Sequence, residues 1–131
     1  MNIPSKFIAL KKYIPIGMPS LSNFELKEEN LNLNNKEEVL VNNKWISVDP
    51  YMRARMTERK NYKPPFEIGK PMEGLAIGKV NESNSDNFKK GDVVISQFGW
   101  RDNYITNYKN LKKINPIDVP LQTYLGPLGF T

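Results

Sequence analysis

Val48-Asp49-Pro50-Tyr51-Met52-Arg53-Ala54-Arg55-Met56 stands between two runs that read as strands, and the rest of the chain is organised around it. Asp49 followed by Pro50 is a helix-start pattern. The carboxylate accepts from backbone N–H groups left free at a helix end, and proline lacks an N–H where none is needed. The pattern predicts a short helix near 50–56. On it Asp49 and Arg53 are four apart and can pair, Tyr51 and Arg55 share a second face, and Met52 and Met56 share a third. Taken alone, the stretch also suits a helical corner whose methionines plug a core and whose arginines are solvated.

Upstream, residues 38–48 form a long run of mixed alternation that leads directly into Asp49-Pro50, and it reads as a strand. Residues 6–13 and 23–29 read as two further strands, joined by Ile14-Pro15-Ile16-Gly17-Met18-Pro19. That linker has two prolines and a glycine, which neither a helix nor a central strand tolerates. Downstream, residues 57–65 carry Tyr62, Pro64 and Pro65 and read as a surface loop. Residues 75–82 read as a strand, with Gly74 and Gly78 marking a bulge or a close approach of another backbone or a ligand. Residues 93–96, 98–106 and 111–114 complete the series. Many short strands with turns at close intervals and one short helix predict a mostly β domain, a small barrel or sandwich of mainly antiparallel strands.

The chain has 131 residues, 39% of them apolar, which is one domain by length with enough apolar content for a modest core. It contains no cysteine and no histidine. A thiolate or imidazole metal site and any Ser-His or Cys-His nucleophile are therefore excluded, and proton transfer falls to Tyr, Lys, Asp, Glu, a ligand hydroxyl or water. The formal charge of +5 favours an anionic partner, but the charges are mixed and no basic run exceeds two residues, so nucleic acid is not demanded. No segment approaches membrane-spanning length and the N-terminus lacks signal-peptide character, so a soluble, cytoplasmic protein is expected.

With these landmarks placed, the chain resembles the N-terminal, GroES-like domain of the zinc-independent medium-chain dehydrogenases/reductases, in particular their NADP-dependent alkenal, leukotriene and prostaglandin double-bond reductases. The matching residues are Val48 to Met56, Tyr62 with Pro64 and Pro65, Ile68-Gly69, Met72 with Gly74, and Gly78-Lys79-Val80 with Ser83. They continue through Phe88 with Gly91-Asp92 and Val94, Gly99-Trp100 with Tyr104, and Leu125-Gly126 with Leu128-Gly129; Asn23-Phe24-Glu25-Leu26 also fits. The resemblance implies a GroES-like barrel over residues 1–122, with 123–131 beginning the link into a Rossmann domain. No Gly-x-Gly-x-x-Gly occurs in this sequence, so NADP(H) would be bound only with that second domain, supplied in cis or in trans.

In that family hydride is delivered to the β-carbon of an enal or enone, and charge builds on the carbonyl oxygen. The resemblance therefore implies Tyr51 as a catalytic hydroxyl donor that also binds substrate. It implies Met52, Tyr62 and Trp100 as further substrate contacts, Pro50, Met52, Phe130 and Thr131 as cofactor contacts, and no metal. Phe130 departs from the methionine usual in relatives. Glu73 lies where zinc-dependent relatives carry Gly-His-Glu, but Pro71 and Met72 precede it; a structural salt bridge is expected, with a ligand contact as the alternative. Trp100 and Tyr104 read as packing on a Gly-Trp-x-x-Tyr strand, with Phe98 and Trp100 able to form an apolar wall. Arg53 is expected to pair with Asp49.

A second class of function is a standalone binding module. Phe98, Trp100, Tyr104 and Tyr108 would stack on single-stranded bases while Lys109, Lys112 and Lys113 meet phosphates, which would make binding fall steeply with salt. A protein partner is compatible with either class, because the apolar run from Tyr124 to Phe130, if uncovered, favours self-association.

Overall fold

The computed structural model describes residues 3–48, 51–57 and 64–114, Tyr51 by its backbone alone. In chain order the elements are β1 (Ile3–Leu10), β2 (Phe24–Leu31), β3 (Glu38–Ile46), α1 (Tyr51–Ala54), β4 (Ala76–Ser83), β5 (Val93–Ser96), β6 (Asn103–Asn107) and β7 (Lys112–Ile114). Single 3-10 turns occupy Leu21–Asn23 and Tyr108–Asn110. The predicted mostly β, antiparallel fold with one short helix is what these residues form.

β1 and β2 make an antiparallel hairpin in register from Ile3 opposite Leu31 to Leu10 opposite Phe24. β1 buries Ser5, Phe7 and Ala9 and exposes Lys6 between them, the period of two expected of a strand with one covered face. β2 is largely exposed and carries Lys27, Glu28 and Glu29, charges that discourage pairing with another chain at this edge. The other five strands form one sheet in the order β6-β3-β4-β5-β7, every pairing antiparallel. The hairpin docks on this sheet's loops through a bridge between Phe7 and Arg101 and a bond from the Ile8 N–H to the Trp100 carbonyl at 2.8 Å.

Two apolar clusters result. Val39, Val41, Val80, Phe88, Val94 and Tyr104 fill the sheet's inner side. Leu10, Ile14, Met52, Met56, Phe66 and Met72 join the hairpin, the linker and α1. Gly78 supplies the close approach expected of it: a methyl there would stand 2.6 Å from Val41 Cγ1 and 2.7 Å from the Asn42 carbonyl. Opposite it, the β3–β4 register shifts between Asn43 and Trp45, so this is a bulge.

Three expectations need correction. The first two strands lie at Ile3–Leu10 and Phe24–Leu31 rather than at 6–13 and 23–29, because Lys11 N–H already turns to the Asn23 carbonyl at 2.7 Å. The helix expected near 50–56 ends at Ala54. Arg55 and Met56 make three-residue bonds to Met52 and Arg53 at 3.2 and 3.1 Å, Thr57 Oγ1 donates to the Ala54 carbonyl at 3.1 Å, and the chain leaves. Asp49 and Pro50 lie outside the described residues. Finally, the segment 98–106 is not one strand. Gly99 N–H bonds the Gly74 carbonyl at 2.9 Å, Trp100 turns with φ +61°, and only from Asn103 does the chain run as β6.

Candidate functional site

α1 is the part of the second cluster that reaches the surface, and beside it lies a cavity of about 670 Å³. Met52 comes from α1 and Met56 from the turn that follows it, and both are buried. Phe24 enters from the start of β2, Trp100 from the corner before β6, and Val48 from the segment leaving β3. The linker closes the remaining side with Gly17, Met18 and Pro19. Met18 is 89% and Val48 70% exposed, so the rim of this cleft is apolar as well as its floor.

Arg53 is the charged residue among the described lining residues. Its Nε and Nη2 both donate to the Gly17 carbonyl, at 3.3 and 3.0 Å, which ties the linker to α1. The partner expected for it, Asp49, lies outside the described residues. Arg55 points away from the cleft. Its Nη2 stands 3.3 Å from Glu73 Oε1, its Nε donates to the Pro64 carbonyl at 2.8 Å, and its guanidinium lies 4.3 Å from the Phe66 ring centroid. Glu73 is thus in the salt bridge anticipated for it.

Of the residues singled out from sequence, the structure brings Met52 and Trp100 together, and they meet over Gly74. A methyl on Gly74 would be 2.5 Å from Met52 Cε and 3.4 Å from Trp100 Nε1. Met52 is 2% exposed, so it forms floor rather than rim. Tyr51 opens α1, but its side chain lies outside the described residues, as do Pro50, Tyr62, Phe130 and Thr131. The contributions of Met18 and Pro19 were missed in the sequence. The available signal was an uncharged run, Ile14 to Pro19, holding two large apolar residues between two prolines, unusual for a solvated linker.

The rings of the alternative, nucleic-acid reading sit differently. Tyr104 is buried and stacks on Phe98 at 4.9 Å between centroids, 24° from parallel. Its hydroxyl bonds Ser96 Oγ at 2.9 Å. Burial pushes the phenol up to about 12, with the Ser96 bond and Arg101 opposing. Lys113 Nζ is held 3.2 Å from Asp92 Oδ2 and 5.2 Å from the Phe88 ring centroid. Burial by itself would raise the Asp92 carboxyl, but the Lys89 N–H and the Lys113 ammonium outweigh it and hold it below the ordinary value.

The cleft fits a hydrocarbon body rather than a pyrophosphate. α1 is a single turn, and no Gly-x-Gly-x-x-Gly loop occurs in the sequence to present a row of N–H groups.

The antiparallel β domain with one helical turn bordering an apolar cleft agrees with the resemblance to the GroES-like domains of medium-chain dehydrogenases/reductases. Residues 6–114 match the family described as the N-terminal domain of oxidoreductase, and the chain belongs to it. It is 39% identical over 133 residues to the NADP(+)-dependent 2-alkenal reductase of Nicotiana tabacum, covering 98% of this chain and 38% of that protein. It is 36% identical over 115 residues to the NADPH-dependent curcumin reductase of Escherichia coli, covering 88% and 33%. Among solved structures it superposes on CurA from Vibrio vulnificus with a TM-score of 0.79 at 28% identity, covering 92% of this chain and 35% of that one. CurA has also been solved in complex with NADPH, and the match there has a TM-score of 0.74 at 26% identity, covering 91% and 34%. The chain thus spans between a third and two-fifths of the length of the curated relatives named here.

Proposed function

We propose that this chain is the substrate-side domain of an NADP-dependent oxidoreductase that reduces the C=C bond of α,β-unsaturated aldehydes and ketones, working with a Rossmann domain in cis or in trans. The observation that carries the reading is the apolar cleft built on Met52, Met56, Phe24 and Trp100 beside the first residue of α1, Tyr51. The names of the tobacco and bacterial relatives supply the substrate class.

In this reading the domain binds and orients, and the dinucleotide is held elsewhere. The hydrocarbon part of an enal lies along the methionines, whose unbranched thioethers adapt to varied chains. Reduction of a conjugated double bond builds negative charge on the carbonyl oxygen, which a fixed hydroxyl donor stabilises. Tyr51 is that donor in this reading. No turnover is expected of the chain alone.

The test is a chimera in which this chain replaces the matching N-terminal segment of the tobacco reductase. NADPH oxidation is followed with trans-2-hexenal. Turnover by the chimera, with kcat lowered about 100-fold by Tyr51→Phe, is the expected result. A chimera that binds NADPH yet leaves the enal unreduced would refute the reading.

A further inference from the structure

Trp100 combines three features that packing leaves unexplained. Its φ of +61° lies in the left-handed region, where a bulky residue is an outlier. Its indole Nε1 is shut off from solvent and has no hydrogen-bond acceptor. Its ring nonetheless borders the cleft. A buried donor left unpaired costs as much as a lost hydrogen bond, so a fold that keeps one does so against its own stability.

The neighbouring contacts show why the backbone cannot leave this position. The Trp100 carbonyl is pinned by the Ile8 N–H at 2.8 Å, and Arg101 is bridged to Phe7. Gly99 lies directly on Gly74, where an added methyl would stand 2.8 Å from the Gly74 carbonyl oxygen. The backbone is thus held on both sides of Trp100. One neighbour on that side is softer: the Met52 terminal methyl and Nε1 both stand over the same face of Gly74, 2.5 and 3.4 Å from where a Cβ would lie. A methionine end group swings about three rotatable bonds at little cost.

The geometry points to the Trp100 indole N–H as a specificity-determining donor that pairs with the oxygen of a carbonyl ligand once the Met52 methyl swings aside. This inference rests on the cleft being the substrate site proposed above. It adds a means of discrimination, since a site that hydrogen-bonds an oxygen rejects the analogue lacking it far better than an apolar pocket sorts hydrocarbons by size. A simple alkene leaves the N–H unpaired, whereas an enal satisfies it.

The chain has two tryptophans, so its ¹⁵N-labelled form has two indole N–H resonances, and Trp45→Phe assigns the one from Trp100. The whole chain is titrated with trans-2-hexenal and, in parallel, with trans-2-hexene. The enal is expected to move the Trp100 indole proton downfield and the alkene is not. Trp100→Phe, which keeps a ring and loses the donor, should weaken enal binding about fivefold more than it weakens alkene binding. If that variant does not fold, the wild-type indole shift decides alone. Should both ligands shift cleft resonances while the indole responds to them identically, the donor role is overturned and the function stands. Should neither ligand shift any cleft resonance, both are overturned.

Discussion

Arg55 Nη2 lies 3.3 Å from Glu73 Oε1 in a pair of unequal members, the arginine side chain 7% exposed and the carboxylate side chain 56%. The asymmetry decides what each partner contributes. Glu73 is screened by water, and an exposed carboxylate adds little to stability. Arg55 also donates to the Pro64 carbonyl and covers Phe66, so it connects α1 to the segment that re-enters after it. Arg55→Ala should cost about 3 kcal/mol and Glu73→Gln about 1 kcal/mol or less, read from urea midpoints at constant m. Equal losses for the two variants would show that charge pairing, not packing, dominates.

Tyr104 gives the fold a defined alkaline limit. Its pKa rises from 10.0 to about 12, chiefly through burial, so the folded state holds the phenol's proton more tightly than the unfolded chain does. The resulting stability is complete below pH 10 and is lost as pH climbs towards 12. The loss is roughly 3 kcal/mol by linkage. Tyr104→Phe gives up the bond to Ser96, about 1 kcal/mol near neutrality, and removes this residue's share of the alkaline slope. The check is the difference between the stability curves of wild type and variant from pH 9 to 12, in which the lysines and remaining tyrosines cancel. Parallel curves would refute it.

Two glycines beside the cleft should respond differently to a methyl. At Gly74 the nearest obstacle, at 2.5 Å, is the flexible end of Met52. At Gly99 it is the Gly74 carbonyl oxygen at 2.8 Å, backbone that cannot give way without moving the Gly74–Phe98 bridge. Gly99→Ala is therefore expected to cost about 3 kcal/mol and Gly74→Ala about 1 kcal/mol. Shortening Met52 should relieve the second and not the first. Thermal midpoints of the two alanine variants, alone and with Met52→Ala, distinguish the cases by their coupling.

The fold was legible where side-chain period and turn chemistry act locally. Residues 93–96 match β5 to the residue, and Gly78 marked its bulge, because alternation and the missing Cβ are properties of single positions. The corner at Gly99-Trp100 was not legible. Its cause is a backbone contact with Gly74, twenty-five positions away, and no local preference places tryptophan in a left-handed turn. In the site, Met52 and Met56 could be read from helical spacing, and the Glu73 salt bridge from the lost metal motif. The bond from Arg53 to the Gly17 carbonyl could not, because that acceptor is contributed by a linker whose path depends on tertiary contacts; the pairing expected with Asp49 lies outside the described residues.

That bond between Arg53 and Gly17 makes a last prediction about the linker wall of the cleft. Gly17 has φ +94° and no neighbour in the space a Cβ would occupy, and the flanking Ile16 and Met18 are 88% and 89% exposed. Little packing therefore holds the tip of the linker. The forked guanidinium, donating twice to one carbonyl, is its main attachment to α1. Because the bond is solvent-exposed, Arg53→Ala should lower global stability by only about 1 kcal/mol. Local opening of the linker should rise about fivefold, seen as faster proteolytic cleavage within residues 14–19 under native conditions. Arg53→Lys, with a single point charge in place of a fork, should fall between the two. Unchanged cleavage in Arg53→Ala would mean that the linker is held by its proline-restricted backbone and not by the arginine.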